Sequence, residues 1–452
     1  MPSFNETIYA LASAAGRAGV AVTRISGPRA HLVMEQVAGG AIEPRKATLR
    51  LLCDPASKEP IDRVLLLWFP APQSFTGEDI VEIHSHGSRA VVARLLTLLA
   101  GLEDFRLAEP GEFARRAFEN GKLDLTAIEG LADLINAETE GQRRQALRQS
   151  EGELGKLYEG WRAKILQASA LTEALIDFSD EEDITQSVGL QSVEIVRELL
   201  ASISDHLMLS GRRGEQMRDG FRLVIAGAPN TGKSSLLNIL AKREAAIVTS
   251  EPGTTRDIIE VQMTIGDFPV LVMDTAGIRE TEGLVEQEGI RRAKERLKDA
   301  DLVLWLIDAA DQNKDSSVLV AGKGDQQSAN VWRILSKADL HPKRAEKLPK
   351  GIDLAISSKT NSGIGELIDK IEALLVRDDV AQSSPLITRA RHREEVLAAQ
   401  TALTIFLNGS LEDTELRAED LRQAASALGR LTGRIDVEEL LGKIFGEFCI
   451  GK

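Results

Sequence analysis

Nine consecutive residues near the middle of the chain, Gly227 to Ser235, have the types and spacing that hold a nucleoside triphosphate. They read GAPNTGKSS, follow the apolar run Phe221 to Ala226 and precede Leu236 to Leu240. This order predicts a strand, a phosphate-binding loop and a helix, whose backbone N–H groups and N-terminal dipole face phosphate oxygens. Lys233 would reach the outer phosphates, and Ser234 would bind Mg²⁺. A chance glycine-rich loop is the alternative.

Two motifs after the loop have the composition of nucleotide-sensing switches. Asp274-Thr275-Ala276-Gly277 closes an apolar run, so its carboxylate would hold Mg²⁺ through water and its glycine N–H would sense the γ-phosphate. Thr254 and Thr255 precede it in the run Gly253 to Asp257. A threonine that completes Mg²⁺ coordination only when triphosphate is bound would make this segment a switch.

Two later motifs are expected to recognise the base of the nucleotide. They are Ser336-Lys337-Ala338-Asp339 and Ser357-Ser358-Lys359. The Asp339 carboxylate can accept from guanine N1–H and N2–H and would repel the N1 acceptor of adenine, so GTP is predicted. Ser336 stands where this motif has asparagine, and its shorter side chain cannot reach both base and phosphate loop. We expect weaker nucleotide retention with the guanine preference kept.

Hydrolysis must be assisted in an unusual way, because Ile278 occupies the position where Ras-like proteins orient water with glutamine. Asn230 offers a side-chain oxygen near the β- and γ-phosphates, which suits a monovalent cation acting like an arginine finger. Glu286 lies a few residues past the switch and could position water, although such a residue is more often a solvated helix carboxylate. Lys233, Asn230 and Glu286 are therefore the candidate catalytic residues.

Length and composition indicate a soluble multidomain chain. Its 452 residues suit about three domains. No window approaches a membrane-spanning run, and Met1 to Tyr9 lacks the regions of a signal peptide, so we expect a cytoplasmic protein. Cys53 and Cys449 are too far apart in sequence for a disulfide framework or a zinc site.

Hydrophobic periodicity divides the chain into four segments. Residues 1–120 mix short strands with one helix in an α+β pattern, and residues 121–219 form amphipathic helices. Residues 220–377 alternate strand and helix, which predicts a mostly parallel sheet, and residues 378–452 return to helices. The predicted fold class is therefore an N-terminal α+β domain and a discontinuous helical domain with an inserted Ras-like P-loop domain.

Contacts with nucleic acid would have to be local, because the net charge is −14. Two helical segments are candidates, although solvated helix faces explain each equally well. Their arginines are Arg143, Arg144, Arg148, Arg389, Arg391 and Arg393. His84 and His86 share a strand face, but no third metal ligand accompanies them.

Several stretches beyond the nucleotide motifs resemble the MnmE (TrmE) family of tRNA-modification GTPases, and the similarity covers nearly the whole chain. They are Arg24-Ile25-Ser26-Gly27, Ser74 to Asp79, Arg106 to Leu125, Gly253 to Asp257 and the terminal Phe448-Cys449-Ile450-Gly451-Lys452. The resemblance implies a tetrahydrofolate-binding N-terminal domain that also dimerises, a split helical domain, and a GTPase domain whose dimerisation around K⁺ activates hydrolysis.

The resemblance also implies site residues. Arg24, Glu82, Lys122 and Lys452 match folate contacts, Glu286 matches a water-orienting glutamate, and Cys449 is either a nucleophile or a buried apolar residue. The Mg²⁺ ligands would be Ser234 and Thr255, and the K⁺ ligands Asn230, Thr249, Glu251 and Thr254. With the motifs above, the expected GTP contacts are Asn230, Thr231, Gly232, Lys233, Ser234, Ser235, Thr249, Ser250, Glu251, Pro252, Gly253, Thr254, Thr255, Asp274, Thr275, Ala276, Gly277, Lys337, Asp339, Ser357, Ser358 and Lys359.

The function that the resemblance implies is addition of an aminomethyl-type group to C5 of the wobble uridine of certain tRNAs. Its partner would be the flavoprotein MnmG (GidA), and methylene-tetrahydrofolate its one-carbon donor. A regulatory or ribosome-assembly GTPase is the alternative, but it gives no reason for the stretch Arg106 to Leu125. The sequence leaves open which tRNAs are used and whether glycine or ammonium supplies nitrogen.

Overall fold

The computed structural model describes residues 5–177, 182–243, 260–274, 300–310, 330–375, 386–410, 413–435, 438–446, 448 and 450–451. The chain forms two compact units. The first comprises Met1–Ile135, Leu147–Ala201 and Glu395–Lys452, and the second comprises Asn136–Ala146 and Ser202–Glu394. The predicted domain boundaries after residues 120, 219 and 377 remain predictions.

Helices and strands of both units follow the chain in this order. The helices are α1 (Leu32–Gln36), α2 (Arg89–Ala100), α3 (Glu112–Glu119), α4 (Leu125–Ile135), α5 (Glu140–Ser150), α6 (Glu153–Asp177), α7 (Glu182–Ser210), α8 (Arg213–Asp219), α9 (Lys233–Arg243), α10 (Pro342–Glu346), α11 (Ile364–Leu375), α12 (Ala390–Asn408), α13 (Thr414–Thr432) and α14 (Glu438–Gly446). The strands are β1 (Thr7–Leu11), β2 (Ala18–Ser26), β3 (Thr48–Cys53), β4 (Pro60–Phe69), β5 (Ile80–Gly87), β6 (Phe105–Leu107), β7 (Phe221–Gly227), β8 (Glu260–Ile265), β9 (Phe268–Asp274), β10 (Leu302–Asp308), β11 (Asn330–Ser336) and β12 (Leu354–Ala355).

The first unit contains a six-stranded sheet in the order β3-β4-β5-β2-β1-β6. Its strand pairs are antiparallel except for β1 and β6. Helix α2 buries Leu95, Leu98 and Leu99 in a core that also contains Val81 and Ile83 of β5. Because side chains alternate across a strand, Glu82 and His84 of β5 project from the opposite face.

Helices of the first unit pack through apolar residues at helical spacing. Helix α6 lies against α13. The buried residues of the pair include Tyr158, Trp161 and Ile165 on α6 and Leu421, Ala424 and Leu428 on α13. Positions three and four apart share one helix face, so these residues form the contact stripe that the sequence pattern predicts.

The second unit contains a six-stranded sheet in the order β12-β11-β10-β7-β9-β8. All neighbouring pairs are parallel except β8 and β9. Leu223 and Ile225 of β7 and Leu304 of β10 are completely buried. The carboxyl ends of β7, β9, β10 and β11 therefore meet at one edge, where ligands of such sheets bind. The mostly parallel sheet predicted from the sequence is confirmed.

Among the helices that the structure describes, none combines the length and the hydrophobicity that crossing a bilayer requires.

Candidate functional site

The phosphate loop connects β7 to α9 at the carboxyl edge of the second unit's sheet. Gly227 has a φ of 145°, and a Cβ at this position would lie 2.5 Å from the carbonyl oxygen of Leu306. Only glycine avoids that overlap. Asn230 has a φ of 63°, and the hydroxyl of Thr231 donates to the carbonyl of Ala228 over 2.8 Å. The loop is thus closed by its own side chains and backbone.

Lys233 begins helix α9, and its side chain turns back over the loop. Its Nζ donates to the carbonyl oxygens of Gly227 at 3.0 Å and Ala228 at 2.9 Å, and the residue is 8% exposed. Ser234, beside it in the first helical turn, is exposed. A fixed ammonium next to an accessible hydroxyl at a helix N-terminus fits a triphosphate with Mg²⁺, for which Ser234 would supply a ligand.

The two predicted guanine-reading motifs meet in the structure. The hydroxyl of Ser357 donates to the Asp339 carboxylate over 2.6 Å, and the N–H of Thr360 donates to the same hydroxyl oxygen at 3.2 Å. The N–H of Ala338 donates to the carbonyl of Ile356 at 3.1 Å. These bonds orient the Asp339 carboxylate, as recognition of a guanine edge requires.

The hydroxyl of Ser336 forms a hydrogen bond within the sheet. It donates to the carbonyl of Ile307 on β10 over 3.1 Å, and the residue is 3% exposed. The next residue, Lys337, forms an ion pair of 2.7 Å with Asp308 at the end of β10. Burial alone would raise the pKa of Asp308, but hydrogen bonds from Lys337 and the Ala310 N–H hold it below its ordinary value. The guanine-reading element is therefore braced on β10.

Replacing Ser336 by asparagine should tighten GDP and GTP together. An amide can reach both the base and the phosphate loop, and one net hydrogen bond contributes about 1 kcal/mol, or roughly fivefold in Kd. Titration calorimetry with both nucleotides measures the change. Asp308→Asn is the companion variant and should weaken both nucleotides, because it removes the anion that holds Lys337. Unchanged affinity in Ser336→Asn would mean that the serine already supplies the missing bond.

Asp308 was missed by sequence reasoning. An acidic residue that ends a buried strand was the available signal, but only the pairing of β10 with β11 shows that it faces Lys337. Of the other predicted contacts, Ser358 is half-buried and Lys359 is exposed. Several predicted residues lie outside the described part: Thr249, Ser250, Glu251, Pro252, Gly253, Thr254, Thr255, Thr275, Ala276, Gly277, Glu286, Cys449 and Lys452.

A second cluster lies on the face of the first unit's sheet that is opposite helix α2. Arg24 and Glu82, which are Cα partners of β2 and β5, form an ion pair of 2.9 Å. The Arg24 guanidinium lies 5.5 Å from the ring centroid of Phe75 and 5.9 Å from that of Phe113. Nε2 of His84 lies 3.4 Å from the other carboxylate oxygen of Glu82. Two predicted folate contacts are therefore adjacent.

Lys122 belongs to the same unit and packs beside the loop that follows β4. A Cβ on Gly77 would lie 3.4 Å from Cγ of Lys122. Asn120 holds this loop by donating to the carbonyl of Thr76 over 2.7 Å. The structure does not give a contact between Lys122 and Arg24, so the set of four folate contacts remains a prediction.

The C-terminal backbone packs on the first unit near β1. Ile450 forms an isolated antiparallel bridge with Pro110. A Cβ on Gly451 would lie 2.3 Å from the carbonyl oxygen of Leu11, the last residue of β1. Because β1 pairs with β2, which carries Arg24, the residue before Lys452 lies one strand away from the cluster.

Beneath this cluster lies a buried network of charges that the sequence did not reveal. Arg116 is 2% exposed and Glu112 is 3% exposed. Arg116 pairs with Glu112 at 3.1 Å and with Glu78 at 3.0 Å, and Arg106 pairs with Glu112 at 2.6 Å. The Glu78 carboxylate also accepts from the hydroxyl of Ser26 over 2.8 Å. The stretch Arg106 to Leu125 thereby holds the loop that carries Phe75.

Most of the arginines proposed for nucleic-acid contact form ion pairs with acidic residues of the chain. Nε and Nη2 of Arg143 donate to the two carboxylate oxygens of Glu140, at 2.8 and 2.7 Å. The other observed partners are Asp267 for Arg144, Glu153 for Arg148 and Glu215 for Arg393. Asp62 likewise pairs with His86 at 2.7 Å. Within the described residues, no group of three or more His, Cys, Asp or Glu could hold a metal ion.

Fold and loop together define the class of this protein. A glycine-rich loop joins a central parallel strand to a helix, and a braced acidic residue follows at the same sheet edge. This combination is that of a P-loop nucleotide-binding protein.

Comparisons with known proteins identify the family. Residues 7–122 match the profile "GTP-binding protein TrmE N-terminus", and residues 125–449 match "MnmE helical domain". A "tRNA modification GTPase MnmE" of Parvibaculum lavamentivorans is 51% identical over 99% of this chain and 100% of its own. The human mitochondrial "5-taurinomethyluridine-[tRNA] synthase subunit GTPB3" is 46% identical over 100% of this chain and 94% of its own. The chain belongs to the MnmE family, which confirms the resemblance seen in the sequence.

Proposed function

We propose that this chain is a GTP hydrolase that acts in tRNA modification. The observation that carries the proposal is the phosphate loop, with Lys233 folded over it, in a chain that matches tRNA modification GTPases along their full length. Asp339, held by Ser357, accounts for guanine selection. We assign the protein to the cytoplasm.

The reaction that we assign is addition of a carboxymethylaminomethyl or aminomethyl group to C5 of the wobble uridine. We assign it to a complex with the flavoprotein MnmG (GidA), because GTP hydrolysis alone forms no bond to a base. Relatives whose names refer to tRNA modification and to taurinomethyluridine support a C5 substituent built on a one-carbon unit. The nitrogen donor and the particular tRNAs stay open.

In GTP hydrolysis the protein mainly places positive charge next to the phosphates. Lys233 would neutralise the outer phosphates, and Ser234 with Thr255 would hold Mg²⁺, which offsets phosphate charge when bound. Asn230, with Thr249, Glu251 and Thr254, would hold K⁺ in the place of an arginine finger. Glu286 would orient the attacking water, because Ile278 cannot. The exposed Asn230, whose backbone is left-handed at the loop, fits that assignment.

The N-terminal cluster is proposed as the site of a tetrahydrofolate derivative, which supplies the one-carbon unit when bound. Arg24 lies close to the rings of Phe75 and Phe113. This arrangement suits a flat aromatic ligand with polar edges, since Glu82 can accept from ring N–H groups. Lys122 and Lys452 would bind the glutamate carboxylates of the cofactor.

A homodimer is proposed through the exposed apolar part of the same sheet face. Leu49 is 57% exposed, Leu51 45%, Leu65 43% and Val20 56%. The strand register places Leu49 opposite Leu65, and Leu65 opposite His84. The apolar face is thus continuous with the cluster around Glu82, and a second copy of this chain would cover it. Contiguous exposed apolar area of this kind is typical of interaction surfaces.

Binding of 5-formyltetrahydrofolate should depend on both lysines. Removing Lys452, or changing Lys122 to glutamine, should each weaken binding about tenfold or more, as expected for a hydrogen bond to a charged group. Titration calorimetry on the full chain measures it. Lys46→Gln is the control, because Lys46 is exposed and pairs with Glu43. Unchanged affinity after removal of Lys452 would mean that this residue does not contact the folate.

The modification itself is tested in cells of the source organism. Deleting the gene should remove the C5 substituent from wobble uridines of a subset of tRNAs, as seen by mass spectrometry of purified tRNA nucleosides. Complementation with the intact gene should restore the mass, and complementation with Lys233→Ala should not. Unaltered wobble uridines after deletion would favour a regulatory GTPase instead.

A further inference from the structure

One segment of the second unit concentrates positive charge in a chain whose net charge is −14. Residues 341–351 read HPKRAEKLPKG, with four cationic side chains and one carboxylate. Helix α10 occupies the first half of this segment. Lys343, Lys347 and Lys350 are exposed, as is Arg333 on the neighbouring strand β11. We name these four residues the basic surface.

The backbone beneath the basic surface is anchored. Arg344 donates over 2.7 Å to the carbonyl of Ala309, the residue that follows β10. The N–H of Asp353 donates to the carbonyl of Arg333 at 2.9 Å, and the Asp353 carboxylate accepts from the Arg333 N–H at 2.7 Å. A Cβ on Gly351 would lie 3.3 Å from Nη1 of Arg333, so this guanidinium lies beside the residue that follows Lys350.

The charges of the basic surface are not neutralised by neighbouring acids. Considering residues that the structure describes, no carboxylate oxygen lies within 4.0 Å of the side-chain nitrogens of these four residues. By contrast, Arg143, Arg144, Arg148 and Arg393 each have an acidic partner. Uncompensated cations in an acidic protein form a local attraction for polyanions.

We propose that the basic surface binds the phosphate backbone of tRNA, an inference that rests on the proposed function. Residues 341–351 contain no phenylalanine, tyrosine or tryptophan on which a base could stack. The contacts are therefore electrostatic and independent of sequence, and they orient the RNA without reading bases. The segment follows directly on the element with Lys337 and Asp339, so this RNA contact lies next to the guanine-reading end of the nucleotide site.

The test is tRNA binding by the full chain with Lys343, Lys347 and Lys350 all changed to glutamine. Fluorescence anisotropy of end-labelled, unfractionated tRNA, with the protein saturated with GDP, gives Kd over a range of KCl concentrations. The variant should bind about tenfold or more weakly at low salt, and its slope of log Kd against log salt should fall by about 2 to 3, since each phosphate contact contributes up to about 0.9. GTP hydrolysis should be unchanged.

The matched control removes three exposed cations that already have acidic partners: Lys46, Lys164 and Arg422, each changed to glutamine. It has the same net charge as the first variant and should keep the wild-type Kd and slope. Equal weakening in both variants would overturn the proposal in favour of net charge alone. Wild-type affinity in the first variant would overturn it too, and would point to an acidic protein as the partner of this surface.

Failure of this inference is distinguishable from failure of the proposed function. If the wild type binds tRNA and the lysine variant binds equally well, only the basic surface is wrong. If the wild type binds no tRNA at any salt concentration, direct tRNA contact by this chain is wrong, and the basic surface fails with it. The deletion experiment on wobble uridines is independent of both outcomes.

Discussion

Changing Arg116 to methionine should lower the free energy of unfolding by about 3–5 kcal/mol, because the change leaves buried carboxylates without their cation. Arg116 and Glu112 are 2% and 3% exposed, and Arg116 bridges Glu112 to Glu78. Methionine fills a similar volume, so the loss would reflect charge and hydrogen bonds more than a cavity. Urea unfolding of the full chain, followed by circular dichroism, measures the effect.

Arg115→Met is the matched control, one residue earlier on the same helix. Arg115 is 31% exposed and pairs with Glu119 at 2.9 Å. Exposed pairs contribute about 0–1 kcal/mol, so this variant should stay close to wild type. Equal losses in the two variants, or a loss below about 1 kcal/mol in Arg116→Met, would contradict a stabilising buried network.

Acid should reduce the contribution of this network. Burial alone would raise the pKa of Glu112, but hydrogen bonds from Arg106 and the Glu109 N–H, together with the charges of Arg116 and Arg106, hold it below its ordinary value. A lowered pKa means that the stabilisation is fully present above the unfolded value of about 4.3 and is lost as pH falls through the folded value. The wild type should therefore lose stability in that acidic range.

GTP hydrolysis should be at least about tenfold faster in K⁺ than in Na⁺, with Rb⁺ and NH₄⁺ behaving like K⁺. A cation at the phosphates replaces the charge that an arginine finger supplies, which contributes about 10³–10⁵ in kcat where it is present. Na⁺ is smaller and fits a carbonyl shell built for K⁺ poorly. Steady-state assays in matched chloride salts, over a range of protein concentrations, test the cation and the pairing of GTPase domains together.

Two variants identify the residues responsible. Asn230→Ala should remove most of the difference between K⁺ and Na⁺, whereas Asn238→Ala, at an exposed position of helix α9, should retain it. Glu286→Ala should lower kcat and leave GTP affinity nearly unchanged, because water positioning acts only on the way to the transition state. Equal wild-type rates in Na⁺ and K⁺ would exclude the cation role.

The sequence by itself determined the nucleotide chemistry and the family. Phosphate binding depends on backbone N–H groups and one lysine within a short stretch, so its requirements appear as a local motif from Gly227 to Ser235. The alternation of strand-like and helix-like segments in residues 220–377 likewise predicted the mostly parallel sheet. Ser336 was recognisable as a departure because its motif has a known spacing to Asp339.

Tertiary structure decided which charges are neutralised. Arg143, Arg144 and Arg393 resemble a basic patch in the sequence, but folding brings them against Glu140, Asp267 and Glu215. Their partners are distant in sequence in two of the three cases, and periodicity carries no information about such pairs. The same reason hid the pair of Lys337 with Asp308, whose strands are neighbours only in the sheet.

The buried network and the basic surface are likewise products of the fold. Glu78 and Arg116 are separated by 38 residues and meet only because the loop after β4 packs on α3. Lys343, Lys347 and Lys350 read as ordinary solvated lysines, and only the structure shows that they lie together without acidic neighbours among the described residues. A local motif specifies chemistry within a few residues, whereas charge compensation depends on contacts between distant segments, which exist only once the chain has folded.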